Sequence, residues 1–351
     1  MKQNYFQRLN QLSSNRFWVN NPTPKMADLA VAAGAVACTT NPTYAWKQFQ
    51  HQETHEEVLA MIDQAIKSVD DDQLAADMVQ KRCVERILPR FADLHKKSGG
   101  TEGFVSIQGN PFEDDDPEHI IEEARDYFRL GSNVIAKIPA TRAGLDAIER
   151  LVAEGMPVIA TEGMSVSQAL YTCELYEQAC RAGGTRPPFF LTHITGIFDQ
   201  YLLKEIEDDR IEIQPDIAWQ AGTIVARRQY QLMRERGFSQ ITMLGGGARG
   251  THHFTELVGG NVHITINWSP TAEEIIASDP PVIYRLETPT PPFVLDELLT
   301  KVPTFRTAYE ESAIGADDFE KFGPVKLFRS MFCDGWANLV RQIGARRSGQ
   351  T

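Results

Sequence analysis

The stretch from Asn133 to Ala169, NVIAKIPATRAGLDAIERLVAEGMPVIATEGMSVSQA, constrains the fold of this chain more tightly than any other. It reads as strand, helix, strand and the start of a further helix. Val134 to Ile138 is apolar except for Lys137, and a continuous apolar run of that length suits a strand covered on both faces. An ammonium there is costly to desolvate. Lys137 must therefore pair with a carboxylate, reach a cavity, or lower its pKa and serve as a nucleophile, and the last option is Schiff-base chemistry. Thr161 ends the next strand, Pro157 to Thr161, where its hydroxyl could face the same pocket.

The same alternation runs along the rest of the chain. Further strands are expected at Phe17 to Asn20, Ala35 to Cys38, Gly103 to Gln108, Pro188 to Thr192, Gln240 to Leu244 and His263 to Ile266. Helical spacing marks residues 3–13, 24–33, 195–207, 217–236 and 252–258, with two helices between 53 and 97 separated by Ser68 to Asp72. Eight strands alternating with helices predict an α/β fold, a closed (β/α)8 TIM barrel over about residues 15–280, in which functional groups sit at strand C-terminal ends. Asn20, Asn41, Gln108, Lys137, Thr161 and Thr192 occupy such ends or the loops after them. An open doubly wound sheet is the alternative, but no G-x-G-x-x-G follows the first strand. Beyond the barrel, 271–278 and 294–301 read as helices, and Asp317 to Ile343 has the amphipathic spacing of helices laid against a body. Without a Pro/Gly/Ser-rich linker, one domain is expected, with additional N-terminal helices and a C-terminal helical extension over about 290–347.

Charge narrows the function. Thirty-five Lys and Arg against 47 Asp and Glu give a net charge of -12, which argues against nucleic acid and anionic membranes as partners. The N-terminus lacks the apolar core of a signal peptide, and no apolar run approaches the roughly 18 residues of a membrane span. Five scattered cysteines without C-x-x-C spacing indicate neither a disulfide framework nor a zinc site, so a cytoplasmic location is expected. The acidic run Glu113 to Asp116 reads as a solvated helix start, not a metal site. The expectation is of no metal and no cofactor.

KIPAT at Lys137 to Thr141, the following GL.AI..L..EG, a strand ending in threonine, S.SQA, and a TTNP turn at Thr39 to Thr43 together resemble the transaldolases and the related fructose-6-phosphate aldolases. The C-terminal helical segment resembles that of transaldolases as well, so the likeness spans most of the chain. It implies that Lys137 forms a Schiff base with a ketose, that Gln108 and Thr161 position a catalytic water, and that Asn20 and Asn41 hold donor hydroxyls. It also places Thr192 on a family serine and Ile194 on a position that is Phe in transaldolases and Tyr in the aldolases. The run Leu244 to Arg249 resembles the G-A-S-F-R segment, with Arg249 on the phosphate-binding arginine and backbone N–H groups able to form an anion nest; read alone, its glycines make a tight strand-to-helix turn. The partner implied is a small-molecule sugar or polyol, and a homodimer is compatible with the chain.

Departures from the family pattern matter as much. Asn20 stands where the first strand of transaldolases ends in an acid/base aspartate, and Gln108 stands where their third strand has a glutamate. Gln108 is shared with the aldolases, but an amide does not titrate in the useful range. Two groups could replace the carboxylates: Glu162, which otherwise reads as a solvated loop residue, and His193, with an ordinary pKa near 6.5, which otherwise reads as a hydrogen-bonded rim histidine. Ile197 matches the second phosphate arginine. The chain is expected to transfer or release a dihydroxyacetone-type unit from a non-standard or less phosphorylated substrate. The alternative is a non-catalytic barrel that binds a sugar or a partner.

Overall fold

The computed structural model describes residues 2–349. Its strands are β1 (Arg16–Asn20), β2 (Ala37–Thr39), β3 (Val105–Ile107), β4 (Val134–Pro139), β5 (Val158–Gly163), β6 (Phe189–His193), β7 (Thr242–Gly245) and β8 (Val262–Asn267). They follow one another in sequence order around a closed barrel, with helices between them and further helices before β1 and after β8. The register is parallel from β2 through β4 and from β5 through β8, as helical crossovers demand. This is the (β/α)8 barrel that the strand spacing predicts. Among the described residues no helix is long and apolar enough to cross a membrane.

Two compact units make up the chain. The first comprises the residues up to Trp18 together with Ile138–Phe328. Its opening helix, Tyr5–Leu12, starts with a capping box: the Asn4 side chain accepts from the Gln7 N–H at 3.0 Å and the Gln7 side chain accepts from the Asn4 N–H at 3.2 Å. Tyr5, Phe6 and Leu9 form its buried face. Phe6 stacks on Phe17 of β1 at 4.2 Å and meets Phe254 edge-on at 5.3 Å. Each such ring contributes about 1.5–3 kcal/mol of burial, which is why this helix seats on the barrel instead of fraying. Asn15 tolerates complete burial because its amide donates to the carbonyls of Leu257 and Val262 and accepts from the Gly259 N–H.

In this unit β5 runs past Thr161 to Gly163, with a register shift against β6 between Ala160 and Gly163 and with Glu162 at φ 64°. Glu162 falls in this bulge and is fully buried; the solvated-loop alternative is thereby corrected. The helix expected over 217–236 is two pieces, Pro215–Ala218 and Ala221–Glu235.

The second unit comprises Val19–Lys137 and the stretch from Arg329 onward. Where two helices are expected between 53 and 97, three form: His55–Ser68, Asp72–Glu85 and Leu88–Lys97. The extra break falls at Arg86 and Ile87 because Pro89 is tolerated in a first turn but not in a helix interior. The acidic run is also not uniformly solvated. Asp116 does cap the helix Pro117–Tyr127 by accepting from the Glu118 N–H, but Asp114 accepts two bonds from Arg329, at 2.9 and 2.7 Å.

Arg329 belongs to the final helix, Gly323–Arg347, whose C-terminal part is fastened within this unit. Trp336 is fully buried and donates to Gln73 at 2.7 Å. Arg346 forks onto Asp63 at 2.7 and 2.8 Å, and Arg347 reaches Asp72 at 2.8 Å.

Candidate active site

Lys137 sits in β4, where all six residues are buried, and is itself 7% exposed. Its Nζ lies over the Phe332 ring, 5.5 Å from the centroid. The amide groups expected around a ketose are found in the same unit. Asn20, at the end of β1, accepts from the Thr39 hydroxyl at 2.9 Å. Asn41 uses its Oδ1 to accept from the Thr43 N–H and hydroxyl, at 3.1 and 2.7 Å. That Asx turn, with the Thr40 hydroxyl on the Ser106 carbonyl and the Gln80 amide on the Asn41 carbonyl, holds the TTNP turn rigid and leaves Asn41 Nδ2 as the donor for a hydroxyl. Gln108 is buried immediately after β3.

Asn21 is a residue that pattern reading passes over. It has φ 45°, and its amide oxygen and nitrogen are both buried without a hydrogen-bond partner. A left-handed asparagine just before a proline reads as simple turn chemistry, so only the structure marks it as a second amide at the end of β1.

In the other unit, the Thr161 hydroxyl, within β5, and the Thr192 hydroxyl, one residue before the end of β6, are buried without a partner. Gln168, from the S.SQA segment, clamps the loop after β5. Its Nε2 donates to the carbonyls of Ala140 and Glu162, at 3.2 and 3.3 Å, and its Oε1 accepts from the Met164 N–H at 2.9 Å. The clamp sustains the left-handed backbone that buries Glu162, a conformation costing on the order of 1–3 kcal/mol for a non-glycine residue.

His193 has a structural engagement. It is fully buried, its Nε2 contacts the Gly222 carbonyl at 3.1 Å, and its Nδ1 contacts the Gln229 Nε2 at 3.1 Å. A carbonyl can only accept and an amide NH2 can only donate, so the proton is on Nε2 and the ring is neutral. Burial pushes its pKa down to about 3. It does not carry protons near neutral pH, and the proton-transfer alternative for His193 gives way to the hydrogen-bonded one.

Arg249 lies in the loop after β7. Its Nε donates to Gln200 at 3.0 Å, and Nη1 donates to the carbonyls of Gly247 and Ala248 at 3.2 and 3.3 Å. No carboxylate pairs with it among the described residues, so its charge is available to an anion. The expected nest is smaller than the glycine run suggests, because the Arg249 N–H is taken by His253 Nδ1 at 2.9 Å. Ile197 and Ile194 are buried against Gly247. That glycine has φ 66°, and a Cβ on it would lie 2.6 Å from Ile194 and 3.0 Å from Ile197.

His253 is the middle of a chain that the sequence does not announce. Its Nε2 meets Asp199 Oδ2 at 2.8 Å, and Asp199 Oδ1 accepts from the Gly222 N–H at 2.6 Å. Burial pushes the Asp199 carboxyl up, against the opposing pull of His253. His252 stacks on Trp219 at 3.6 Å and meets His253 at a tilt, 3.8 Å away. Asp199, His252 and His253 each bring a ligand atom within 4.8 Å of the others, which invites a metal. The hydrogen bonds oppose it. The Arg249 N–H can only donate, so His253 carries its proton on Nε2, facing Asp199. A metal on Nε2 would need that proton on Nδ1, facing another N–H. The cluster is a brace from the helix Ala221–Glu235 to the Arg249 loop.

Comparison with known proteins agrees with these motifs. The family described as Transaldolase/Fructose-6-phosphate aldolase matches residues 23–282. The transaldolase of Mycobacterium bovis (strain BCG / Pasteur 1173P2) is 29% identical over 245 residues, 65% of this chain and 61% of the relative. Transaldolase 1 of Streptomyces avermitilis is 30% identical over 213 residues, 57% of this chain and 54% of the relative. A transaldolase of Neisseria meningitidis serogroup A is 40% identical over 84 residues, 23% of this chain and 24% of the relative. The chain thus spans about three-fifths or less of the length of these curated relatives. With the family pattern covering well over half of its residues, this chain belongs to the transaldolase/fructose-6-phosphate aldolase family.

Proposed function

We propose that this chain is a Schiff-base enzyme of transaldolase type, in which Lys137 forms an imine with a ketose and a dihydroxyacetone-type unit is transferred or released. The observation that carries this reading is a lysine in a wholly buried strand, at the KIPAT position of a family member. In the proposed cycle the neutral Nζ attacks the ketose carbonyl and water is lost. The iminium then draws in the electron pair of the neighbouring carbon–carbon bond as the adjacent hydroxyl gives up its proton. An aldehyde departs, and the enamine adds to an acceptor aldehyde or is protonated before water releases the product.

Proton transfer is assigned to Glu162, a buried carboxylate held in a bulge by Gln168, since His193 is locked neutral. Gln108 and Thr161 orient water, Asn20 and Asn41 hold donor hydroxyls, and Thr192 and Ile194 take the places of the family serine and aromatic residue. Arg249 binds one anionic group. With Ile197 packed against Gly247 where a second arginine would stand, the reading favours a singly charged or unphosphorylated polyol. The proposed compartment is the cytoplasm.

Borohydride reduction in the presence of dihydroxyacetone and a panel of ketoses, followed by peptide mass spectrometry, tests this. Mass should appear on Lys137, and Lys137→Met should lose turnover. Label on another lysine, or a Met variant with unchanged rate, refutes the mechanism. A second reading, a non-catalytic sugar- or partner-binding barrel, draws on the amides at Asn20 and Gln108; failure of any ketose to trap would favour it.

A further inference from the structure

The C-terminal helix contributes to the lysine centre. Arg329, Phe332, Cys333 and Trp336 fall at the i, i+3, i+4, i+7 positions of one helix face. Arg329 donates to the Pro111 carbonyl and to Asp114, each at its closest 2.9 and 2.7 Å, in the loop after β3. Cys333 Sγ approaches the same Pro111 carbonyl at 3.9 Å, and Trp336 is tied to Gln73. At Gly335 the helix comes so close to the turn after β2 that an added Cβ would lie 2.5 Å from the Thr43 side chain. These contacts fix the register of the helix, and Phe332 is the side chain they deliver to Lys137. Phe332 is 2% exposed, so its ring is held by packing and excludes water from the Nζ side it covers.

An aromatic face is electron-rich and favours a cation within about 6 Å of its centroid, most strongly where water is excluded. We propose that Phe332 is a catalytic residue of the imine centre, its ring stabilising positive charge on the Lys137 nitrogen. This rests on the Schiff-base reading above. When Nζ adds to the ketose carbonyl, its lone pair forms the new carbon–nitrogen bond and the carbonyl pair goes to oxygen. Proton transfers give a carbinolamine, and loss of its hydroxyl as water leaves a C=N bond with positive charge on nitrogen, against the ring. The same ring also favours the ammonium of the free enzyme. Its benefit therefore shows at pH values where the amine is already neutral, since below that range both sides of the equilibrium are cationic and the effects cancel.

The test replaces Phe332 with 4-fluoro-, 3,5-difluoro- and pentafluorophenylalanine, which drain the ring face at nearly constant volume, and adds Phe332→Leu. Borohydride trapping with dihydroxyacetone is followed across pH in the full chain. The fraction trapped at high pH should fall stepwise with fluorination, by roughly tenfold from parent to pentafluoro. The acid limb of the trapping rate should move to lower pH by up to about one unit, as the ammonium is destabilised in the free enzyme. Equal trapping across the fluorinated series, with or without a loss in the Leu variant, would show that the ring acts by volume alone and overturns the proposal. Absence of label on Lys137 in the parent overturns the Schiff-base reading itself, so the two failures are distinguishable.

Discussion

Asp199 offers the sharpest test of how the Arg249 loop is held. Its two oxygens accept from the Gly222 N–H at 2.6 Å and from His253 at 2.8 Å, and His253 in turn accepts from the Arg249 N–H at 2.9 Å. The Gly222 N–H is an orphan donor in the first turn of Ala221–Glu235, where a carboxylate is favourable. Asp199→Ala leaves two buried donors without acceptors, each costing about 1–3 kcal/mol, so a loss of roughly 2–6 kcal/mol is expected. Asp199→Asn is more informative. Its oxygen can keep the Gly222 bond, but its NH2 then faces the His253 N–H. The histidine must move its proton to Nδ1, which ends acceptance from Arg249, or rotate away. The expected stability loss is smaller, about 1–3 kcal/mol, while the Arg249 loop loses its brace. Urea unfolding gives the first quantity, and titration with inorganic phosphate, together with KM for a singly phosphorylated ketose, gives the second. Phosphate affinity should drop several-fold in Asp199→Asn with kcat little changed. An Asn variant that is destabilised yet binds phosphate as the parent does would refute the coupling from Asp199 to Arg249.

Two other outcomes follow from the same neighbourhood. His193 and His252 have folded pKa values pushed to about 3 from 6.5, chiefly by burial; the unfolded chain therefore binds protons first, and stability present above pH 6.5 is lost as pH falls towards 3. At pH 5 the fully buried His193 alone should account for about 2 kcal/mol of that loss, so His193→Gln should flatten the difference between unfolding free energies measured at pH 7 and pH 5, and an unchanged slope would contradict the assignment. Ile197→Arg should not restore phosphate binding: Ile197 is buried against Gly247, and a larger cationic side chain there should destabilise by about 1–3 kcal/mol. Tighter binding of a phosphorylated ketose by that variant would mean that the loop opens at no such cost.

Much of this molecule is written locally. Apolar runs at Val134 to Ile138 and Pro157 to Thr161 suit covered strands, and their alternation with helical spacing predicts the barrel without any knowledge of contacts. Lys137 stands out for the same reason, as a charge in an apolar run, and the TTNP turn announces itself because Asn41 closes an Asx turn within two residues. What the chain order does not encode is decided by groups that meet only after folding. The burial of Glu162 goes with a left-handed backbone held by Gln168, and periodicity carries no sign of φ. The state of His193 depends on Gly222 and Gln229, some thirty residues away, because a ring between a carbonyl and an amide has one tautomer and no free nitrogen. Asp199 and His253 are joined across 54 positions, and Phe332 reaches Lys137 from the final helix. Long-range pairing of that kind follows from packing and hydrogen-bond satisfaction across the folded chain, and spacing along the chain holds no trace of it.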